Sequence, residues 1–143
     1  MNRRPDWNAA LRGYIDGCRA KPFVWGRFDC ALFAADAVRA MTGANIAADL
    51  RGRYTSARTA AARIKEAGFG SLGDLVASRL PEIAPALAMR GDLAIIRGND
   101  GSAALCVVLG AEVAAATDIG ISFTSRSRIE RAFHVPFHGG ADQ

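Results

Sequence analysis

Phe-Val-Trp-Gly-Arg-Phe-Asp-Cys, residues 23–30, runs directly into Ala-Leu-Phe-Ala-Ala-Asp-Ala-Val-Arg-Ala-Met, residues 31–41, and the rest of the chain is arranged about this junction. From Leu32 the apolar residues recur every three to four positions, with no Gly or Pro before Gly43. That pattern predicts a mostly buried helix ending at Thr42-Gly43. Cys30 falls in its first turn, and Asp29 just outside is a good N-cap, because its carboxylate can accept from the free N–H groups there. A thiol so placed sits where the helix macrodipole favours an anion, which predicts a pKa lowered from about 8.5 toward neutrality. By residue type two readings stand: a reactive thiolate, or a small buried hydrophobe beside a purely structural cap. Gly26, in the turn before, is expected to supply a backbone angle or a close approach that a side chain would forbid.

With 143 residues, half of them apolar, the chain has the size of a single domain and can bury most of the surface it exposes unfolded. Residues from about 138 read as a flexible tail. The net charge of +4 comes almost entirely from arginines that are scattered along the chain, and the closest approach to a cluster is Arg51-Gly-Arg53 or Arg126-Ser-Arg128. A specific nucleic-acid surface needs a basic stripe, so none is expected. Three cysteines, Cys18, Cys30 and Cys106, are too few and too far apart for a disulfide framework or a zinc site, and nothing calls for a metal or cofactor. The basic N-terminus has no apolar run behind it, and no stretch reaches the length of a membrane span. Synthesis in the cytoplasm without a signal peptide, and without membrane insertion, is the expectation.

Pro5-Asp6 opens a first helix to about Ala20, with Trp7, Leu11, Tyr14, Ile15 and Cys18 on one stripe. Residues 43–55 read as a loop with one helical turn at 47–50. Ser56 caps a third helix to about Ala67, and Ser71 a fourth to about Leu80, beyond which Pro81 and Pro85 forbid any further helix. The period then changes. Residues 92–97, the Asn99-Asp-Gly101 turn and residues 103–109 predict a hairpin, continued by strands over 112–117 and 121–124. A turn of helix is expected within 125–131. Residues 132–137 then read as an edge strand, because Pro136 cannot donate to a ladder. Helices first and antiparallel strands second is an α+β order. Trp25 and Phe28 are expected to pack the turn against the sheet.

The Trp25-Gly26 turn followed by Asp29-Cys30 at a helix start resembles the NlpC-type cell-wall peptidases, papain-like cysteine peptidases that cut peptidoglycan stem peptides. Arg90-Gly-Asp-Leu-Ala-Ile-Ile96 resembles their Gly-Asp-Leu strand, and Ala104-Leu-Cys-Val-Val-Leu-Gly110 the strand after it. The similarity covers roughly residues 7 to 135. It implies a papain-like fold with N-terminal helices packed on a small antiparallel sheet, Cys30 in the nucleophile position, and Trp25, Gly26 and Asp29 supporting it. In active relatives the second strand begins with the histidine base, and a polar residue on the third orients it. Here the matching positions are Ala104 and a member of Val113–Ala116, none of which carries a proton. General acid–base transfer contributes on the order of 100- to 10,000-fold, so its loss leaves little turnover.

The chain has two histidines. His134 reads as a half-buried strand residue that could also serve as a displaced base, and His138 as solvated. Trp-Gly, Asp-Cys and Gly-Asp-Leu without the strand histidine is similar to small proteins of siphophage and gene-transfer-agent tail modules. The resemblance implies a virion tail-tip component, with other tail-tip or hub proteins and peptidoglycan as partners. Three functions are open: a tail-tip component with a degenerate peptidase fold that works through protein contacts, an active peptidoglycan cysteine peptidase or amidase using Cys30 with His134, or an unrelated cytosolic α+β binding module.

Overall fold

The computed structural model describes residues 1–137. The predicted tail and His138 lie outside the described residues. Four helices come first, α1 (Trp7–Cys18), α2 (Cys30–Thr42), α3 (Ala57–Glu66) and α4 (Leu72–Ala77). Six strands come after them: β1 (Glu82–Ile83), β2 (Leu93–Arg97), β3 (Ala103–Val108), β4 (Glu112–Thr117), β5 (Gly120–Ser125) and β6 (Arg131–Phe133). They form one antiparallel sheet in the order β1-β6-β2-β3-β4-β5. This is the α+β architecture that the order of periodicities predicts.

α2 is the centre of the packing. Leu32, Phe33, Val38 and Met41 on it have no exposed surface, and burying side chains of this size stabilises by about 1.5–3 kcal/mol each. Its start is set by Asp29, whose side chain accepts from Leu32 N, and its end by Gly43 at φ 84°. Ser56 and Ser71 cap α3 and α4 as expected. The helix-facing side of the sheet, including Leu93, Ile95, Leu105, Val107, Ala114, Ala116 and Phe133, closes on α1, α2 and α4. Ala94, Ile96, Cys106, Val108, Val113 and Ala115 form a second apolar layer on the other side. Arg126 ties the loops covering that side together, donating to the carbonyls of Gly110, Pro85 and Ala88.

Two expectations are corrected. β6 is not an edge: it lies between β1 and β2, and it ends at Phe133, so Pro136 falls outside the ladder and its missing N–H costs nothing there. β1, hidden in sequence by its two flanking prolines, takes the edge instead. Trp25 does not pack on the sheet. Its ring meets Phe23 edge-on at 5.0 Å and Tyr54 at 6.5 Å, on the other side of α2, while Phe28 packs against Phe33.

Candidate active site

The turn before α2 is built around one carboxylate. Val24 and Phe28 exchange backbone hydrogen bonds at 2.9 and 2.8 Å, closing a tight loop with Gly26 at its tip. Gly26 has φ 82°, and a Cβ there would lie 2.1 Å from the Tyr54 carbonyl oxygen, so both sequence-based reasons for a glycine hold at once. Asp29 is fully buried. Its Oδ1 accepts from Leu32 N at 2.9 Å, and its Oδ2 accepts from Gly26 N at 2.9 Å and from the Tyr54 hydroxyl at 2.6 Å. One side chain therefore caps α2, holds the loop and anchors the segment from 43 to 55. Tyr54 escapes the sequence patterns; its one signal is that it is the lone aromatic in that segment.

Cys30 lies at the floor of a cleft of about 520 Å³. Trp25, Tyr54 and Leu50 line one part of it, Ala57, Ala60, Ala61 and Ile64 of α3 another, and Phe69 to Leu72 with Ser102 and Ala103 the rest. The lining is mostly apolar, and the α3 wall is made largely of alanine. Cys30 keeps a partial opening onto this space, whereas Cys18 and Cys106 are buried.

The lowered thiol pKa predicted from the helix terminus is overturned. Burial pushes the Cys30 thiol up to about 11, the Leu105 backbone N–H pulls it partway back, and the Asp29 carboxylate pushes it up again. Removing water from around an anion outweighs the helix N-terminus here, and the capping carboxylate that starts the helix is itself a like charge beside any thiolate. Cys106 on the far face of β3 is pushed up to about 12, again chiefly by burial.

Strand alternation also revises which residue stands where a base belongs. Ala104 faces the far layer of the sheet. Ala103 is the residue at the start of β3 that lines the cleft with Cys30. On β4 the helix-facing positions are Ala114 and Ala116, with Val113 and Ala115 turned away. Extending the register that pairs Val107 with Ala114 sets Ala116 level with Leu105, the strand residue nearest Cys30. Base and orienting positions alike hold methyl groups.

His134 is elsewhere. Its Nδ1 lies 3.0 Å from Asp92 Oδ1, and its backbone N–H donates to Pro81 O. Asp92 immediately precedes β2, whereas Cys30 faces Leu105, which pairs with Ile95. Three residues of strand, about 10 Å, separate those levels, in addition to the lateral step from β3 across β2 to β6. The structure brings together Trp25, Gly26, Asp29 and Cys30, and it does not bring His134 to them. Asp92 is instead the partner of Arg3. Both side chains are fully buried and 2.8 Å apart, and Arg3 also donates to Val135 O and Arg90 O while lying over the Trp7 and Phe137 rings. Among the described residues no group of three or more His, Cys, Asp or Glu side chains could hold a metal ion.

A profile of a family described as "Domain of unknown function (DUF6950)" matches residues 2–135. No curated protein matches the sequence. Among solved structures, the fold is similar to the NlpC/p60 domain of the peptidoglycan hydrolase SagA, with a TM-score of 0.54 over 88% of this chain and 97% of that one, at 20% identity. The architecture is thus NlpC/p60-like.

Proposed function

The chain belongs to the DUF6950 family, and from that premise we propose that it is a phage or gene-transfer-agent tail-tip component whose NlpC-like cleft has given up peptide hydrolysis and serves protein–protein contact. The observation that carries this reading is the cleft itself. Its nucleophile position is filled by Cys30 and its apolar walls are intact, yet Ala103 and Ala116 occupy the places from which a base and its orienting partner would reach the thiol.

A cysteine cutting an amide needs a thiolate, an acid for the leaving amine and donors for the developing oxyanion. With a pKa near 11, the thiol holds its proton at neutral pH. The described imidazole, on Asp92, cannot deliver a proton from the other end of the sheet. Substrate-sized space remains without the chemistry, which suits a site that holds a chain segment. The tail-tip assignment rests on the Trp25-Gly26, Asp29-Cys30 and Gly91-Asp92-Leu93 pattern combined with the missing strand histidine. Other tail-tip or hub proteins are the expected partners, with peptidoglycan stem peptides as a second class of occupant.

Two measurements test this. Purified chain and its Cys30→Ala variant should release products from muropeptides at the same background rate, and cleavage that depends on Cys30 would overturn the loss of catalysis. Cross-linking mass spectrometry on purified particles should join residues lining the cleft to a tail protein. Particles lacking the chain would overturn the location.

A further inference from the structure

The two edges of the sheet are treated differently. β1 is two residues long, includes Glu82 and is bracketed by Pro81 and Pro85, all features that discourage pairing. β5 is six residues, Gly-Ile-Ser-Phe-Thr-Ser, with no charge, proline or bulge.

The hydrogen-bond pattern says which groups it leaves open. Leu109 N donates to Glu112 O and Arg126 N donates to Ala111 O, so on β4 the even residues bond toward β3 and the odd ones toward β5. On β5, Gly120, Ser122 and Thr124 therefore turn their N–H and C=O groups inward, given the register Ala115↔Ser122. Ile121, Phe123 and Ser125 turn theirs outward, and no backbone partner meets them among the described residues.

We propose that β5 is the docking edge for a second copy of this chain, joined antiparallel about a two-fold axis at Phe123. Three observations select that occupant and register. Centring on Phe123 sets Ile121 opposite Ser125 of the second copy, so every outward-facing group of the strand finds a partner. The strand is uncharged, so self-pairing brings no like charges face to face. Counting outward in the same register, exposed Asp118 at one end comes level with exposed Arg128 of the second copy, and Arg126 lies close by. A parallel self-pairing would instead set Asp118 beside Asp118. On the helix side, the Arg19 guanidinium over Phe123 is accompanied by Asp16 at 3.6 Å, which balances its charge at the axis. Ile119, 92% exposed beside Asp118, gains cover at the same end. The two sheets become one continuous sheet, and the Cys30 clefts, on the other side of α2, stay open. A contact this narrow is a weak one, with dissociation in the micromolar range or above.

Sedimentation velocity of the full chain from micromolar to millimolar concentration tests the proposal. A monomer–dimer equilibrium is expected. Ser122→Lys with Thr124→Lys places like charges opposite each other across the axis and should abolish the dimer, with circular dichroism confirming the fold. Asp118→Arg should weaken it at least tenfold, and Asp118→Arg combined with Arg128→Asp should restore it. A chain that stays monomeric throughout, a dimer indifferent to the two lysines, or a charge swap that fails to rescue would each overturn the proposal.

Discussion

Asp29→Ala is the most informative single substitution, because it removes three hydrogen bonds that organise the site. Loss of an N-cap costs about 1 kcal/mol. The Gly26 N–H and the Tyr54 hydroxyl are then left buried and unpaired, at about 1–3 kcal/mol each. The sum lies at about 3–7 kcal/mol, a large share of the ~5–15 kcal/mol that holds a domain together. With an unfolding entropy of about 2.1 cal/mol/K per residue over 143 residues, each kcal/mol moves Tm by about 3 °C, so Asp29→Ala should lower it by roughly 10–20 °C. Tyr54→Phe removes only one bond and should cost about 1–2 kcal/mol. In that background Asp29→Ala no longer strands a hydroxyl, so it should cost about 1–3 kcal/mol less than in the wild type. Urea unfolding of the four chains closes the cycle. Costs that add within about 0.5 kcal/mol, or an Asp29→Ala penalty below about 1 kcal/mol, would refute the claim that one carboxylate ties the loop, the helix and Tyr54 together.

Cys30 should label with iodoacetamide before Cys18 and Cys106, since it alone opens on the cleft, but slowly at neutral pH, with a rate rising about tenfold per pH unit until near 11; mass spectrometry against pH reads this, and a plateau below pH 8 would contradict it. Because the folded thiol titrates near 11 against 9.0 for the free group, stability is intact below pH 9 and is lost as pH rises from there through 11; Cys30→Ala should flatten that alkaline limb in denaturant titrations. Ala103→His places an imidazole on the cleft face beside Cys30, and thiol labelling at pH 7.5 should accelerate by about tenfold or more, whereas Ala104→His should leave it unchanged. Arg3→Met breaks a fully buried ion pair and leaves Asp92 uncompensated, at a cost of about 3–5 kcal/mol measured by thermal unfolding; a neutral result would show that His134 and Val135 suffice for Asp92.

The local signals in the sequence are strong wherever one residue type answers one backbone need. Asp29, Ser56 and Ser71 mark helix starts, Gly43 a helix end, and the Asn99-Asp-Gly101 turn a hairpin. Long-range pairing leaves no such mark. β1 is too short to show a period, and its place beside β6 depends on Glu82 meeting Phe133 across about fifty residues of chain. Arg3 reads as one of many surface arginines, and only the fold discloses that Asp92 waits for it in the core. At the site, Cys30 and its cap are legible, but the sign of the thiol's pKa shift is not, because burial depends on α3, Tyr54 and β3 arriving around it. The base position is misplaced by one residue, Ala104 for Ala103, an error that carries a strand side chain to the opposite face.

α3 has no buried residue, although Ala57, Ala60, Ala61 and Ile64 on it line the cleft. The opposite side of that space is the start of α2, fixed by Asp29 and by a core face without exposed surface. The cleft thus has one stiff wall and one compliant wall. Amide exchange in α3 requires only local opening, whereas exchange in α2 requires the whole domain to unfold. A site of this construction adjusts its width to the group that enters, and binding there is registered as slowed exchange along a single helix while the catalytic-type turn stays as it was.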